Sequence, residues 1–184
     1  AKVTAVDISA ELVAAARELS AHVRPSIDFR VADAEALPFA DASFDGVIST
    51  FGVMFTPDQQ QAARELLRVC RRGGKIGLAN WTPESFIGQL FKTIGKYVPP
   101  APGTDSPALW GTRSHLDMMF RSKAIVATES RNFVFRYKSP EHWVEIFRNY
   151  YGPVVKAFAA IDEDARAALT VDLHKLLDRF NAAE

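Results

Sequence analysis

Glycine does not occur before Gly46, and cysteine occurs once, at Cys70. A single cysteine excludes an internal disulfide and suits a reducing, cytoplasmic compartment. Neither charge is in excess, because Lys plus Arg and Asp plus Glu each total 22. That balance leaves no electrostatic footprint for nucleic acid or an anionic membrane surface. No apolar run is long enough for a bilayer, so no membrane span is expected. Asp7 and Glu11 interrupt the apolar core that a signal peptide needs. His22, His115, His142 and His174 are scattered without metal-ligand spacing, so no metal is expected. Internal repeats and low-complexity tracts are lacking too.

What is present is enough for one domain: 184 residues, 48% of them hydrophobic. Residues 2–7 read as a short buried strand, and Ser9 suits the cap of a following helix. Leu12, Ala16, Leu19 and Val23 fall on one face of that helix. Ile27, Phe29 and Val31 alternate with polar or small residues, the pattern of a half-buried strand. A buried strand is expected from Phe44 to Ser49. The helix after it should start with Thr56 as cap, Pro57 at the first position and Gln59 as capping-box partner. Its apolar face is Ala63, Leu66, Leu67 and Cys70. Arg71 and Arg72 suit its negative end, Gly73 and Gly74 its stop. Lys75 to Trp81 reads as another strand. The order argues for an α/β fold with a mainly parallel sheet. Further on, 82–98 reads as helix, 99–107 as a Pro-rich loop, 109–120 as a short helix and 124–137 as a long strand. Ser139 suits the cap of a helix carrying Trp143, Ile146 and Phe147. Leu169, Leu173, Leu176, Leu177 and Phe180 form the stripe of a last helix.

Ligands of open α/β sheets bind beyond the carboxyl ends of the strands. Those ends offer Asp7, then Asp33 and Ala34, then Ser49, Thr50 and Phe51, then Asn80 and Trp81. An acid at Asp7 can accept from both hydroxyls of a ribose, although an Asp after a strand is as often a turn residue. The segments VTAVDIS, VADAEALPFADASFDGVIST and ELLRVCRRGGKIGLANW occur in this order and spacing. Together they resemble the class I S-adenosylmethionine-dependent methyltransferases, nearest the branch related to the ubiquinone and menaquinone C-methyltransferases. DAEALPF followed by SFD is the specific part, and the likeness is strong over residues 1–82.

The resemblance implies a Rossmann-like methyltransferase sheet with flanking helices. It implies S-adenosylmethionine as cofactor and methyl transfer to a small molecule. Asp7 would bind the ribose hydroxyls and Ile8 would pack on the adenine. Asp33 would accept from the adenine amino group, with Ala34 beside the ring. Ser49, Thr50 and Phe51 would line the methionine end. Phe55, Trp81 and Phe86, from an aromatic-rich set with Phe51 and Met54, would suit an apolar or aromatic acceptor. Trp110, Met118, Met119 and Phe120 suit a lid, and Trp143, Tyr150 and Tyr151 suit packing on the last helices or a homodimer face. No catalytic acid or base is assigned; His115 is the weak candidate.

Such families also have a first strand and a Gly-rich turn, with the acid ~20 residues past it. Asp7 stands almost at the terminus, so neither lies in this chain. A second strand of the closing hairpin is missing as well. The expectation is therefore a single domain over 1–184 that is itself a fragment. Residues 1–82 are its cofactor-binding half and 83–184 its substrate-side and sheet-completing half. Two rival readings stay open: a nicotinamide-dependent oxidoreductase and a non-catalytic methyltransferase-like subunit. Against the first, no Tyr is followed four residues later by Lys.

Overall fold

The computed structural model describes residues 1–182. In chain order the elements are β1 (Thr4–Asp7), α1 (Ala10–Leu19), β2 (Asp28–Val31), β3 (Phe44–Thr50), α2 (Gln59–Val69) and β4 (Cys70–Ala79). They are followed by α3 (Phe86–Ile94), α4 (Arg113–Phe120), α5 (Pro140–Tyr150), α6 (Gly152–Ala160) and α7 (Glu163–Phe180). Two compact units result: Ala1–Asn80 with Leu116–Ile125, and Trp81–His115 with Val126 onward. Among the described residues no helix is long and apolar enough to cross a membrane.

The first unit is α/β, as its alternating pattern predicts. β1 and β2 pair in parallel, with Thr4 opposite Asp28 and Asp7 opposite Val31. β3 and β4 also pair in parallel, with Thr50 opposite Ala79. Parallel partners need a crossover, and α1 and α2 supply one each. The two ribbons do not pair with one another. The open arrangement changes the expected burial. β3 is not a buried strand, since Ile48 is 81% exposed. On α1, Ser9 Oγ accepts from the Leu12 amide at 3.2 Å, as expected of a cap. The predicted stripe is not covered: Leu12 is 59% and Leu19 78% exposed, and Val13 alone of this helix is buried. Two four-residue strands offer too little surface for it.

α2 differs from expectation at both ends. Thr56 Oγ1 donates to the Val53 carbonyl in a 3-10 turn, and Asp58 is the cap, accepting from the Gln61 amide at 2.8 Å. The helix stops at Val69, so Arg71 and Arg72 lie in β4 rather than in a last helical turn. Cys70, expected to be buried, is half-buried at the junction. Phe44 stands opposite Cys70 but Gly46 opposite Lys75, so the extra residues of β4 loop out. Gly73 takes φ 74° there, and a Cβ on Gly74 would lie 2.7 Å from both the Asp45 carbonyl and Cys70 Sγ.

The second unit is a helical cluster. α3, α5, α6 and α7 enclose Leu90, Trp143, Val154, Leu169 and Leu173, all fully buried. Ser85, Ser139 and Asp162 cap α3, α5 and α7. The stripe expected on the last helix is real at Leu169, Leu173 and Leu176. α6 is an addition to the expected elements; Pro153 sits in its first turn, where a missing N–H costs nothing. The strand expected over 124–137 does not form. Its two-residue period instead lays alternate rings on neighbouring aromatics: Phe133 on Trp81, Phe135 on Phe86, and Tyr137 on Phe147. Asp172 of α7 accepts from Lys96 Nζ at 3.1 Å, Tyr97 Oη at 3.2 Å and Lys175 Nζ at 3.3 Å.

Two stability predictions follow from this unit. A Cβ on Gly88 would press against the carbonyl oxygens of Thr82 and Pro83, which are backbone and cannot swing away. Gly88→Ala is expected to destabilise by about 1–3 kcal/mol in urea unfolding. The hydrogen bond from Lys96 is the main cause that holds the Asp172 carboxyl below its ordinary value. A lowered folded value gives stability above the unfolded value, lost as pH falls through the folded one. Asp172→Asn should therefore lower the melting temperature at pH 7. Its deficit should shrink as pH drops below about 4, the ordinary aspartate range. An unchanged deficit down to acid unfolding would contradict the pairing.

Candidate functional site

The site is built from strand ends of the first unit. Asp7 is the last residue of β1, and its carbonyl accepts from the Ala32 amide at 3.0 Å, just past the end of β2. Asp33 follows directly, so parallel pairing sets the two acids on the same edge of one ribbon. Each carboxylate has one oxygen fixed by a local turn. Asp7 Oδ1 accepts from the Ser9 amide at 2.9 Å, and Asp33 Oδ1 from the Glu35 amide at 2.8 Å. These contacts hold the side chains on the backbone while both residues stay exposed. The turn role foreseen as the alternative for Asp7 is thus present. It occupies Oδ1. Ile8, 72% exposed, lies between β1 and α1, and Ala34 is half-buried.

β3 ends on Ser49 and Thr50. Ser49 Oγ accepts from the Val53 amide at 3.1 Å, which closes the chain into the following 3-10 turn. Phe51 then turns left-handed, with φ 62°. Its amide still donates to the Ala79 carbonyl at 2.9 Å. A bulky residue at positive φ costs of order 1–3 kcal/mol, and such strain clusters at functional sites. The one-letter sequence does not show it, because the turn's glycine, Gly52, has φ -72° and the left-handed residue is the one before it.

The loop behind Asp33 is tied to α2. Glu65, only 7% exposed, accepts from the Leu37 amide at 2.7 Å. Arg68 binds the same carboxylate through Nε at 2.6 Å and Nη2 at 2.7 Å. It also donates to the Leu37 carbonyl at 2.9 Å, the Phe39 carbonyl at 2.7 Å and Asp41 Oδ1 at 2.9 Å. Glu35 accepts from the Asp58 amide at 2.7 Å, and its carbonyl from Gln61 Nε2 at 3.0 Å. The hydrogen bond from Arg68 is the first cause that keeps the Glu65 carboxyl below its ordinary value. Glu35, Glu65 and Arg68 were not among the expected site residues. The signal that could have found them is an acid and an arginine three apart on a helix after an otherwise uncapped loop.

The acceptor-side aromatics divide between the units. Phe55 is exposed in the first, while its neighbour Met54 is fully buried core. In the second, Trp81 packs on Phe133 and Phe135, and Phe86 on Phe135, Trp143 and Phe180. Phe86 is thereby a packing residue of the helical cluster. Trp110 and Phe120 are core rather than lid, and Met118 alone of that quartet's apolar residues is strongly exposed. Burial holds His115 below its ordinary value, with Asp105 opposing, and its ring lies edge-on against Trp110. An open groove of about 450 Å³ lies between Glu141, Arg148 and His174 and contains none of the expected residues. Among the described residues no group of His, Cys, Asp and Glu could hold a metal ion.

Residues 1–78 match the family model described as a methyltransferase domain. An uncharacterised protein of Mycobacterium tuberculosis is 41% identical over 175 residues, covering 94% of this chain. The chain spans 64% of the length of that relative. The YcgJ protein of Bacillus subtilis has a similar fold, with a TM-score of 0.59 at 19% identity over 100% of this chain and 69% of that one. A S-adenosylmethionine-dependent methyltransferase of Thermotoga maritima gives a TM-score of 0.51 at 22% identity, covering 65% of this chain and 53% of that one. The acids at the first two strand ends both lie in the segment, residues 1–78, that matches the methyltransferase domain model from the first strand to the fourth.

Proposed function

We propose that this protein binds S-adenosylmethionine at the carboxyl ends of β1, β2 and β3 and catalyses methyl transfer to a small apolar or aromatic molecule. The observation that carries the reading is the pair Asp7 and Asp33 on one edge of a parallel ribbon. Asp7 accepts from the ribose hydroxyls and Asp33 from the adenine amino group. Ile8 and Ala34 pack on the ring, and Ser49, Thr50 and Phe51 shape the methionine end. The donor set suits this cofactor. It holds two carboxylates and no basic side chain, which matches a diol, an amino group and a cation but not a pyrophosphate.

When bound, the cofactor supplies a methyl group on a sulfonium centre. The protein's own residues then bind, orient and exclude water, and positioning of a nucleophile can supply much of the rate. In the first unit Phe55 offers apolar surface to the acceptor; within the second unit Trp81 and Phe86 both pack on Phe135. Half-buried Cys70 suits a reducing cytoplasm.

Calorimetric titration with S-adenosylhomocysteine, beside NADH, tests the assignment. Micromolar binding of the former alone is expected. Asp7→Asn separates the two roles of Asp7, because an amide oxygen still accepts from the Ser9 N–H. Its NH₂ group then stands where Oδ2 was and cannot accept from a ribose. The variant should keep its melting temperature and bind about tenfold or more weakly, the scale of one charged hydrogen bond. Unchanged affinity would reduce Asp7 to a turn residue.

A further inference from the structure

We infer that Glu65 and Arg68 are positioning residues for adenine recognition, holding the 33–41 loop so that Asp33 is presented in one fixed orientation. The inference rests on the assignment of Asp33 to the adenine amino group.

The argument starts from the loop's own weakness. Residues 32–43 join β2 to β3 without a helix or strand of their own. Its local hydrogen bonds are short-range turns: the Ala36 amide donates to the Asp33 carbonyl at 3.1 Å and the Phe39 amide to the Leu37 carbonyl at 2.8 Å. Such turns leave the loop many conformations. The order comes from α2. Arg68 has five N–H groups, and five acceptors receive them: both Glu65 oxygens, the Leu37 and Phe39 carbonyls and Asp41. Glu65 closes the ring by accepting from the Leu37 amide. So both backbone polar groups of Leu37 are held by one ion pair, while its side chain is buried. Leu37 is four residues from Asp33, and Glu35 between them is anchored to the start of α2. The carboxylate that faces the ligand is therefore braced at successive points.

A guanidinium is needed for this. A lysine ammonium has three N–H groups on one atom and cannot reach carboxylate, carbonyls and Asp41 together. The pair touches no expected ligand group itself. It acts through the loop, so its loss should change how well Asp33 discriminates, not only how stable the protein is.

The test uses two probes, S-adenosylhomocysteine and its inosine analogue, in which the adenine amino group is replaced by a carbonyl. The ratio of their affinities reads recognition of position 6 and the adjacent ring nitrogen, and the part of it that Asp33→Asn removes is the Asp33 contact. The unsubstituted protein should prefer the adenine form by on the order of tenfold, the scale of a hydrogen bond to a charged group. Asp33→Asn, which keeps an acceptor for the Glu35 amide, should bring the ratio close to one. Arg68→Lys and Glu65→Gln should do the same, and neither should lower the ratio further when combined with Asp33→Asn. Melting temperatures are recorded beside each titration, and hydrogen exchange at the Leu37 amide should accelerate in both α2 variants. A ratio that survives in Arg68→Lys and Glu65→Gln while Asp33→Asn abolishes it overturns the inference and leaves the cofactor assignment standing. A ratio indifferent to Asp33→Asn, or no binding of either probe by the unsubstituted protein, overturns the assignment and the inference together.

Discussion

One arginine sets the order of the first unit. Arg68 spends every N–H it has on the segment between β2 and β3 and on the acid one turn before it on the helix. Without that fork the Leu37 and Phe39 carbonyls would lose their side-chain donor and Glu65 its counter-ion. The helix end depends on it as well. The Arg68 carbonyl accepts from the Ala42 amide at 2.8 Å, which turns the loop toward β3 just where α2 gives way to β4. Placement of Asp33, entry into β3 and the end of α2 are thus a single arrangement. A helical salt bridge three residues apart would ordinarily be worth only a few tenths of a kcal/mol. Here Glu65 is buried and the pair binds backbone, and that is what raises its importance.

The α/β class and the parallel direction of its strands were legible in the sequence, because apolar runs ending in Asp7, Asp33 and Thr50 alternate with capped helical faces. Ser9 and Ser139 cap as side-chain chemistry demands. Burial was less legible. Leu12, Leu19 and Ile48 have the spacing of core residues yet lie open, since spacing reports which side a residue takes and not whether anything covers that side. The stretch 124–137 shows a related ambiguity. A two-residue period arises wherever extended backbone lays alternate rings on a surface, and Phe133, Phe135 and Tyr137 do so on aromatic side chains without a ladder. The helix end at Val69 was misplaced because Gly73 and Gly74 suit a stop signal as well as they suit a looped-out strand.

The strand-end positions of the candidate residues were legible at the level of residue type. Acids at neighbouring strand ends could be placed from sequence because parallel pairing forces their ends together. The left-handed turn at Phe51 and the bracing of the loop through Leu37 could not, as both depend on backbone conformation and on partners ~30 residues away in the chain. The aromatic set was only partly a site signal. Met54, Phe86 and Trp110 have the composition of an acceptor pocket and serve packing, which is the commoner fate of large apolar side chains.

The central claim is the proposal that the ends of β1 and β2 bind the adenosine of the cofactor and the end of β3 its methionine part. The most direct measurement follows backbone amide resonances during titration with S-adenosylhomocysteine. The account predicts saturable shifts concentrated at residues 7–9, 33–37 and 49–53, with NADH leaving them unmoved. Shifts clustered instead around the groove of Glu141, Arg148 and His174, or equal responses to both compounds, would contradict it.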